Sequence, residues 1–167
     1  VYKRQLLDIM YPDVDHSMLD FTTPFELLVA TILSAQATDV SVNKVTKEMF
    51  KEANTPEDFA NMDIKTLENY IRSIGIYRNK AKNIKAASKI LINDYNSTVP
   101  KDKKELQKLP GVGRKTANVV VSNAYGIPAI AVDTHVFRVS NRIGLANATN
   151  VDTVSYTHLR AHETLRY

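Results

Sequence analysis

The sequence predicts an all-α fold, and three observations carry that reading. Helix-start signatures recur along the chain, with Thr or Asp followed by Pro or by an acidic residue three positions on. Behind them, apolar residues return every three or four positions. Alternation of period two is missing; the one stretch of extended character, "IPAIAVD" at 127–133, is too short to imply a sheet.

The elements follow in order. "TTPFELLVATILSAQ" predicts a helix with Thr23 as N-cap, Pro24 at the first position and Glu26 completing a capping box. Thr55, Pro56 and Asp58 repeat the device in "TPEDF". Asp63 caps "DIKTLENYIRSIG", where Ile64, Leu67, Ile71 and Ile74 share a face until Gly75 ends it. From Arg78 to Tyr95, the residues Ala81, Ile84, Ala87, Ser88 and Leu91 line one face and lysines the others. Asp102 with Glu105 predicts a further capping box, opening a short helix that ends at Pro110. A turn made of Pro110, Gly111 and Gly113 leads into a helix from about Arg114 to Tyr125, stopped by Gly126. Asp133 then caps a last helix that ends near Gly144.

A chain of 167 residues is enough to bury a proper core, and 24% charged with 44% apolar residues is a globular composition. No apolar run approaches the roughly 20 residues of a membrane span, so no membrane partner is expected. The chain has no cysteine, which excludes disulfides and thiolate-bound metals within it. A cytoplasmic location is the default expectation. The ends, "VYKRQ" and "VSYTHLRAHETLRY", fit no surrounding pattern and look like translated sequencing-adapter DNA. Val1–Gln5 and about Val154–Tyr167 are therefore expected to be non-native. Setting aside Lys3, Arg4, Arg160, Arg166 and Glu163 lowers the formal charge from +4 to +1. Any case for a polyanionic partner must rest on where the cations sit.

They sit at the turn. "KLPGVGRKTANVVV" runs from a Pro-Gly-x-Gly hairpin straight into Arg114 and Lys115 at the start of a helix, the end whose dipole favours anions. Gly111 and Gly113 permit positive φ and close backbone approach, and amides from Gly111 to Gly113 would form an anion pocket suited to a phosphate. The plainer reading is a helix–turn–helix corner whose glycines only allow close packing. A nucleotide-binding loop is set aside, since Arg114 intervenes between glycine and lysine and no strand precedes.

"LPGVGRKTANVV" followed by "AVDTHVFRVSNR" resembles the endonuclease III family of helix-hairpin-helix DNA glycosylases. "TPFELLVATILSAQATDVSVNKV" and "IRSIGIYRNKAKNI" extend the resemblance over about Leu6 to Thr153. It implies excision of oxidised pyrimidines from double-stranded DNA by a monomer, with the damaged nucleotide flipped out of the stack. Lys115 would be the nucleophile that attacks the sugar C1′ and forms a Schiff base, after which β-elimination cuts the strand. The amine must be neutral to attack, and partial burial, the helix N-terminus and Arg114 are expected to favour that form. Asp133 would stabilise positive charge on the sugar and move protons, besides being an ordinary N-cap. Gln36 matches the residue that fills the hole left by the flipped base, and otherwise reads as a helix-end polar residue. Ile76 matches an apolar wedge, usually leucine in the family, and otherwise reads as core. Leu109, Gly111, Val112, Gly113, Arg114 and His135 complete the expected DNA contacts. His135 reads equally as structural. Lys80 and Lys82 read as phosphate contacts or as a solvated helix face.

The resemblance also sets the expected organisation. Residues 6–21 would be an N-terminal helix of a second domain, 22–126 a six-helix barrel with the hairpin, and 127–153 a truncated start of that second domain. The family's 4Fe–4S cluster would belong to a missing C-terminal region, and a chain shortened in this way is expected to bind DNA weakly and turn over poorly. A non-catalytic helix-hairpin-helix module that only holds DNA is the alternative. A glycosylase without lyase activity, which would use the Asp but lack the Lys, is a third.

Overall fold

The computed structural model describes residues 5–6, 9–10 and 18–153, so all of the adapter-like ends except Gln5 lie outside the described residues, as does most of 6–21. Among the described residues the regular structure is helical. Residues 5–6 and 9–10 are helical, and from residue 18 on the described helices are α1 Pro24–Ser34, α2 Asp39–Glu52, α3 Pro56–Asn61, α4 Ile64–Tyr70, α5 Tyr77–Tyr95, α6 Lys103–Leu106, α7 Arg114–Tyr125, α8 Thr134–Arg142 and α9 Val151–Thr153.

The fold is organised around α1. Phe25, Leu27, Leu28, Val29, Ala30, Ile32 and Leu33 are all buried, so this helix is apolar nearly all round and sits inside the molecule. It packs against α2, α5 and α7, while α3 and α4 close on α5 and α6 closes on α7. Phe25 meets Phe59 edge to face, with ring centroids 5.5 Å apart. The start of α1 is fixed by the capping box read from the sequence. Thr23 accepts from the Glu26 N–H, and the buried Glu26 carboxylate accepts from the Thr22 N–H at 2.6 Å, the Thr22 hydroxyl at 2.7 Å and the Thr23 N–H. A carboxylate taken from water must be so satisfied to avoid a desolvation penalty.

Several boundaries differ from expectation for local reasons. α4 ends at Tyr70, with turns carrying the chain from Ile71 toward Gly75. Asp102 caps α6 through the Lys104 and Glu105 amides. The reciprocal half of its box is not formed, because the Glu105 carboxylate instead accepts from Lys108 and from the Tyr95 hydroxyl. α2 has no counterpart in the sequence reading. It starts at Thr38, whose hydroxyl accepts from the Ser41 N–H, and buries only Val42, Thr46 and Met49.

The buried apolar residues form two clusters. The larger gathers side chains from Leu19 to Val121, contributed by α1 through α7. The smaller centres on Val132 and Ala146, with Ile130, Val136, Phe137, Ala148 and Val151 packed against it. Between them runs the irregular segment 126–133, tied back where the Asn118 side-chain amide donates to the Ile130 carbonyl at 3.0 Å.

Candidate active site

The hairpin joins α6 to α7. After α6, the Lys108 and Leu109 amides fold back onto Glu105 and Leu106, and the Val112 N–H donates to the Leu109 carbonyl at 3.1 Å. Gly111 takes φ +80°, and a Cβ added there would lie 3.0 Å from the Asn83 side chain of α5. Both conformation and space demand glycine at this position. Gly113, with no atom within 4 Å of an added Cβ, caps α7 without a side chain. The first-turn amides of α7 therefore receive no side-chain cap from it.

Two parts of the expected anion pocket need correction. The Val112 amide is already used inside the turn, so it cannot face a phosphate. The side chains of Leu109 and Val112 are 2% and 6% exposed and belong to the large core, so their expected DNA contact is closed to the side chains. Gly111 and Gly113 are exposed, and Arg114 is half-buried at the first position of α7.

Lys115 and Asp133 meet. The Lys115 Nζ donates to the Asp133 Oδ2 at 3.1 Å across 18 residues of chain. The other carboxylate oxygen, Oδ1, accepts from the backbone amides of His135 at 3.0 Å and Val136 at 2.9 Å, capping α8. The two oxygens divide the work: one fixes the carboxylate on a helix start, the other faces the amine. The Val136 amide above all, and the Lys115 ammonium, hold the Asp133 carboxyl below the usual carboxylate range against the opposing effect of burial. Asp133 is thus an anion at neutral pH. The partial burial expected at Lys115 is not found, since its side chain is 57% exposed. An ion pair this open is worth only about 0–1 kcal/mol, so stability is a poor reason for it.

His135 is exposed, with its Nδ1 3.3 Å from Arg138. Gln36 follows the C-cap of α1 at φ +56° and is exposed. Ile76 precedes α5 at φ +58° and is 55% exposed, so it is not core. Positive φ is uncommon for a side chain such as Ile, and both loops hold it. They are neighbours: a Cβ on Gly75 would lie 3.8 Å from the Gln36 carbonyl. Lys82 is exposed, whereas Lys80 is buried, 5% exposed, and fits neither reading offered for it from the sequence.

An all-helical fold in which such a hairpin delivers a lysine to an aspartate defines the class: a helix-hairpin-helix protein. A family model described as HhH-GPD superfamily base excision DNA repair protein matches residues 29–163, and the chain belongs to that superfamily. It is 57% identical to endonuclease III of Bacillus subtilis over 136 residues, 81% of this chain and 62% of the relative. Against endonuclease III of Rickettsia conorii it is 53% identical over 146 residues, 87% of this chain and 70% of that one. A solved trapped endonuclease III–DNA covalent intermediate superposes with a TM-score of 0.89 at 53% identity, covering 95% of this chain and 75% of that one. The chain spans less than two thirds of the Bacillus subtilis relative's length.

Proposed function

We propose that this protein is a base-excision-repair DNA glycosylase with AP lyase activity, acting on oxidised pyrimidines in double-stranded DNA within the bacterial cytoplasm, at the nucleoid. The observation that carries the reading is the 3.1 Å approach of Lys115 to Asp133 at the mouth of the hairpin. The family membership and the likeness to a trapped protein–DNA covalent intermediate support it.

The chemistry starts with the duplex strand held at the hairpin, where exposed Gly111 and Gly113 let backbone come close to phosphates without reading sequence. The target nucleotide leaves the stack, at a cost of a few kcal/mol, while Gln36 and Ile76 occupy the gap. The neutral Lys115 amine forms a bond to C1′ as the C1′–base bond breaks and the base departs with the electron pair, taking up a proton. Asp133, held ionised by its helix-start hydrogen bonds, faces the positive charge that grows on the sugar. The nitrogen gives one proton toward the departing base and keeps the other; its lone pair then breaks the C1′–O4′ bond to give a protonated Schiff base, and the freed ring oxygen takes a proton from water. Loss of a C2′ proton then expels the 3′ phosphate and cuts the strand. The exposure of Lys115 leaves its amine open to a DNA sugar.

Iron–sulfur clusters need thiolate donors, and this chain, without cysteine, supplies none. Among the described residues no group of three His, Asp or Glu side chains gathers to hold a metal, and no helix is long and apolar enough to cross a membrane.

Borohydride reduction on abasic-site duplex DNA tests the function. Wild-type protein is expected to cross-link, and Lys115→Gln to lose the adduct while binding DNA near normally. Trapping that survives Lys115→Gln would show the nucleophile misassigned. DNA binding with no trapping by either protein would instead favour a non-catalytic module.

A further inference from the structure

Lys80 is the least expected side chain in the molecule. It lies in the first turn of α5 at 5% exposure, and its Nζ donates to the Leu33 carbonyl at 2.9 Å and to the Ala35 carbonyl at 2.6 Å. These are last-turn and C-cap carbonyls of α1, a helix with no basic residue in its own last turn. A cation at that end satisfies orphan acceptors and faces the negative end of the helix dipole. Burial pushes the Lys80 ammonium below its ordinary range, the mark of an unfavourable setting that its two acceptors offset.

Of the two carbonyls that Lys80 grips, that of Ala35 stands immediately before Gln36, which has φ +56°. The backbone N–H of Lys80 donates to the carbonyl of Ile76, at φ +58°, across 3.2 Å. Ile76 opens α5 with no side-chain cap, so that backbone bond belongs to its first helical turn. One residue thus ties both left-handed loops, through its ammonium on one side and its amide on the other. Gly75, beside the Gln36 carbonyl, leaves room for the loops to lie close.

We propose that Lys80 is a positioning residue that locks the Gln36 and Ile76 loops together, so that both side chains enter a DNA stack as one rigid unit. This rests on the reading of Gln36 and Ile76 as inserting residues. It gives Lys80 a task in handling duplex DNA and none in the bond-making at Lys115.

The test compares wild type with Lys80→Met, which keeps the stem and removes the donor, and Lys80→Arg as the conservative rescue. If Lys80→Met fails to melt cooperatively, Lys80→Gln, which retains a shorter donor, carries the same comparison. The first readout is the Cα and Cβ chemical shifts of Gln36 and Ile76, which report left-handed backbone. They are expected to move toward averaged values in Lys80→Met, to recover in Lys80→Arg, and to leave Gly111–Gly113 unchanged. Unchanged shifts at Gln36 and Ile76 would overturn the proposal. The second readout is borohydride trapping on an abasic site in duplex and in single-stranded DNA, the latter needing no insertion into a stack. A loss of about tenfold on duplex with single-strand trapping kept is expected, whereas an equal loss on both would reduce Lys80 to general stability and also overturn the proposal. Should wild type trap neither substrate, the glycosylase reading fails by itself, and the chemical shifts alone decide the role of Lys80.

Discussion

Asp133 caps α8 with one carboxylate oxygen and faces Lys115 with the other, so the cap and the proposed catalytic role can be pulled apart. Asn is as good an N-cap as Asp but carries no charge. Asp133→Asn is expected to change the melting free energy by less than about 0.5 kcal/mol while lowering trapping by about 10²–10³, the scale of losing one aligned electrostatic group. Asp133→Ala loses the cap as well and should cost about 1 kcal/mol. Because folding depresses the Asp133 carboxyl, its contribution to stability is fully present above the unfolded value of about 3.9 and lost as pH falls through the lower folded one. Melts at pH 5 and pH 3 should therefore fall less steeply in Asp133→Asn than in wild type; equal slopes would contradict the hydrogen-bonded carboxylate. Asp133 as a cap is legible in "VDTH", since capping is a local rule. The surroundings of Lys115 are not, because exposure depends on what packs nearby. Lys80 is the extreme case: its acceptors lie 45 and 47 residues away, beyond any local pattern.

At the scale of elements, the hairpin carries the sharpest expectation. Gly111→Ala places a Cβ 3.0 Å from Asn83 in a backbone conformation that disfavours it, and a loss of about 1–3 kcal/mol in denaturant melts is expected. Gly113→Ala, with no neighbour within 4 Å and an extended backbone, should cost far less. Equal losses at the two glycines would contradict the close approach of α5 to the turn. The starts of the helices announced by Thr-Pro-x-acid, α1 and α3, are legible to the residue, because cap, proline and acid act within one turn. The start of α2 has the same logic in Thr38 and Asp39, but no proline marks it and its buried face is thin. The Asp102–Glu105 box is half formed because tertiary partners, Tyr95 and Lys108, compete for the acid.

For the whole molecule, the central fact is that the candidate pair spans two packing clusters. Lys115 rides on α7, whose Ala117, Val120 and Val121 belong to the large core, while Asp133 follows Val132 of the small one. The approach of the two side chains thus depends on how 126–133 carries the chain from one cluster to the other. The all-helical class is legible because caps and apolar spacing agree along the chain. The pairing across 18 residues is not, since spacing alone does not say that the chain returns. The measurement that bears most directly on the Lys115 assignment is peptide mass spectrometry of the borohydride-reduced protein–DNA adduct. A sugar remnant on Lys115 is the expected result. A remnant on any other lysine, or an adduct of equal yield from Lys115→Gln, would contradict it.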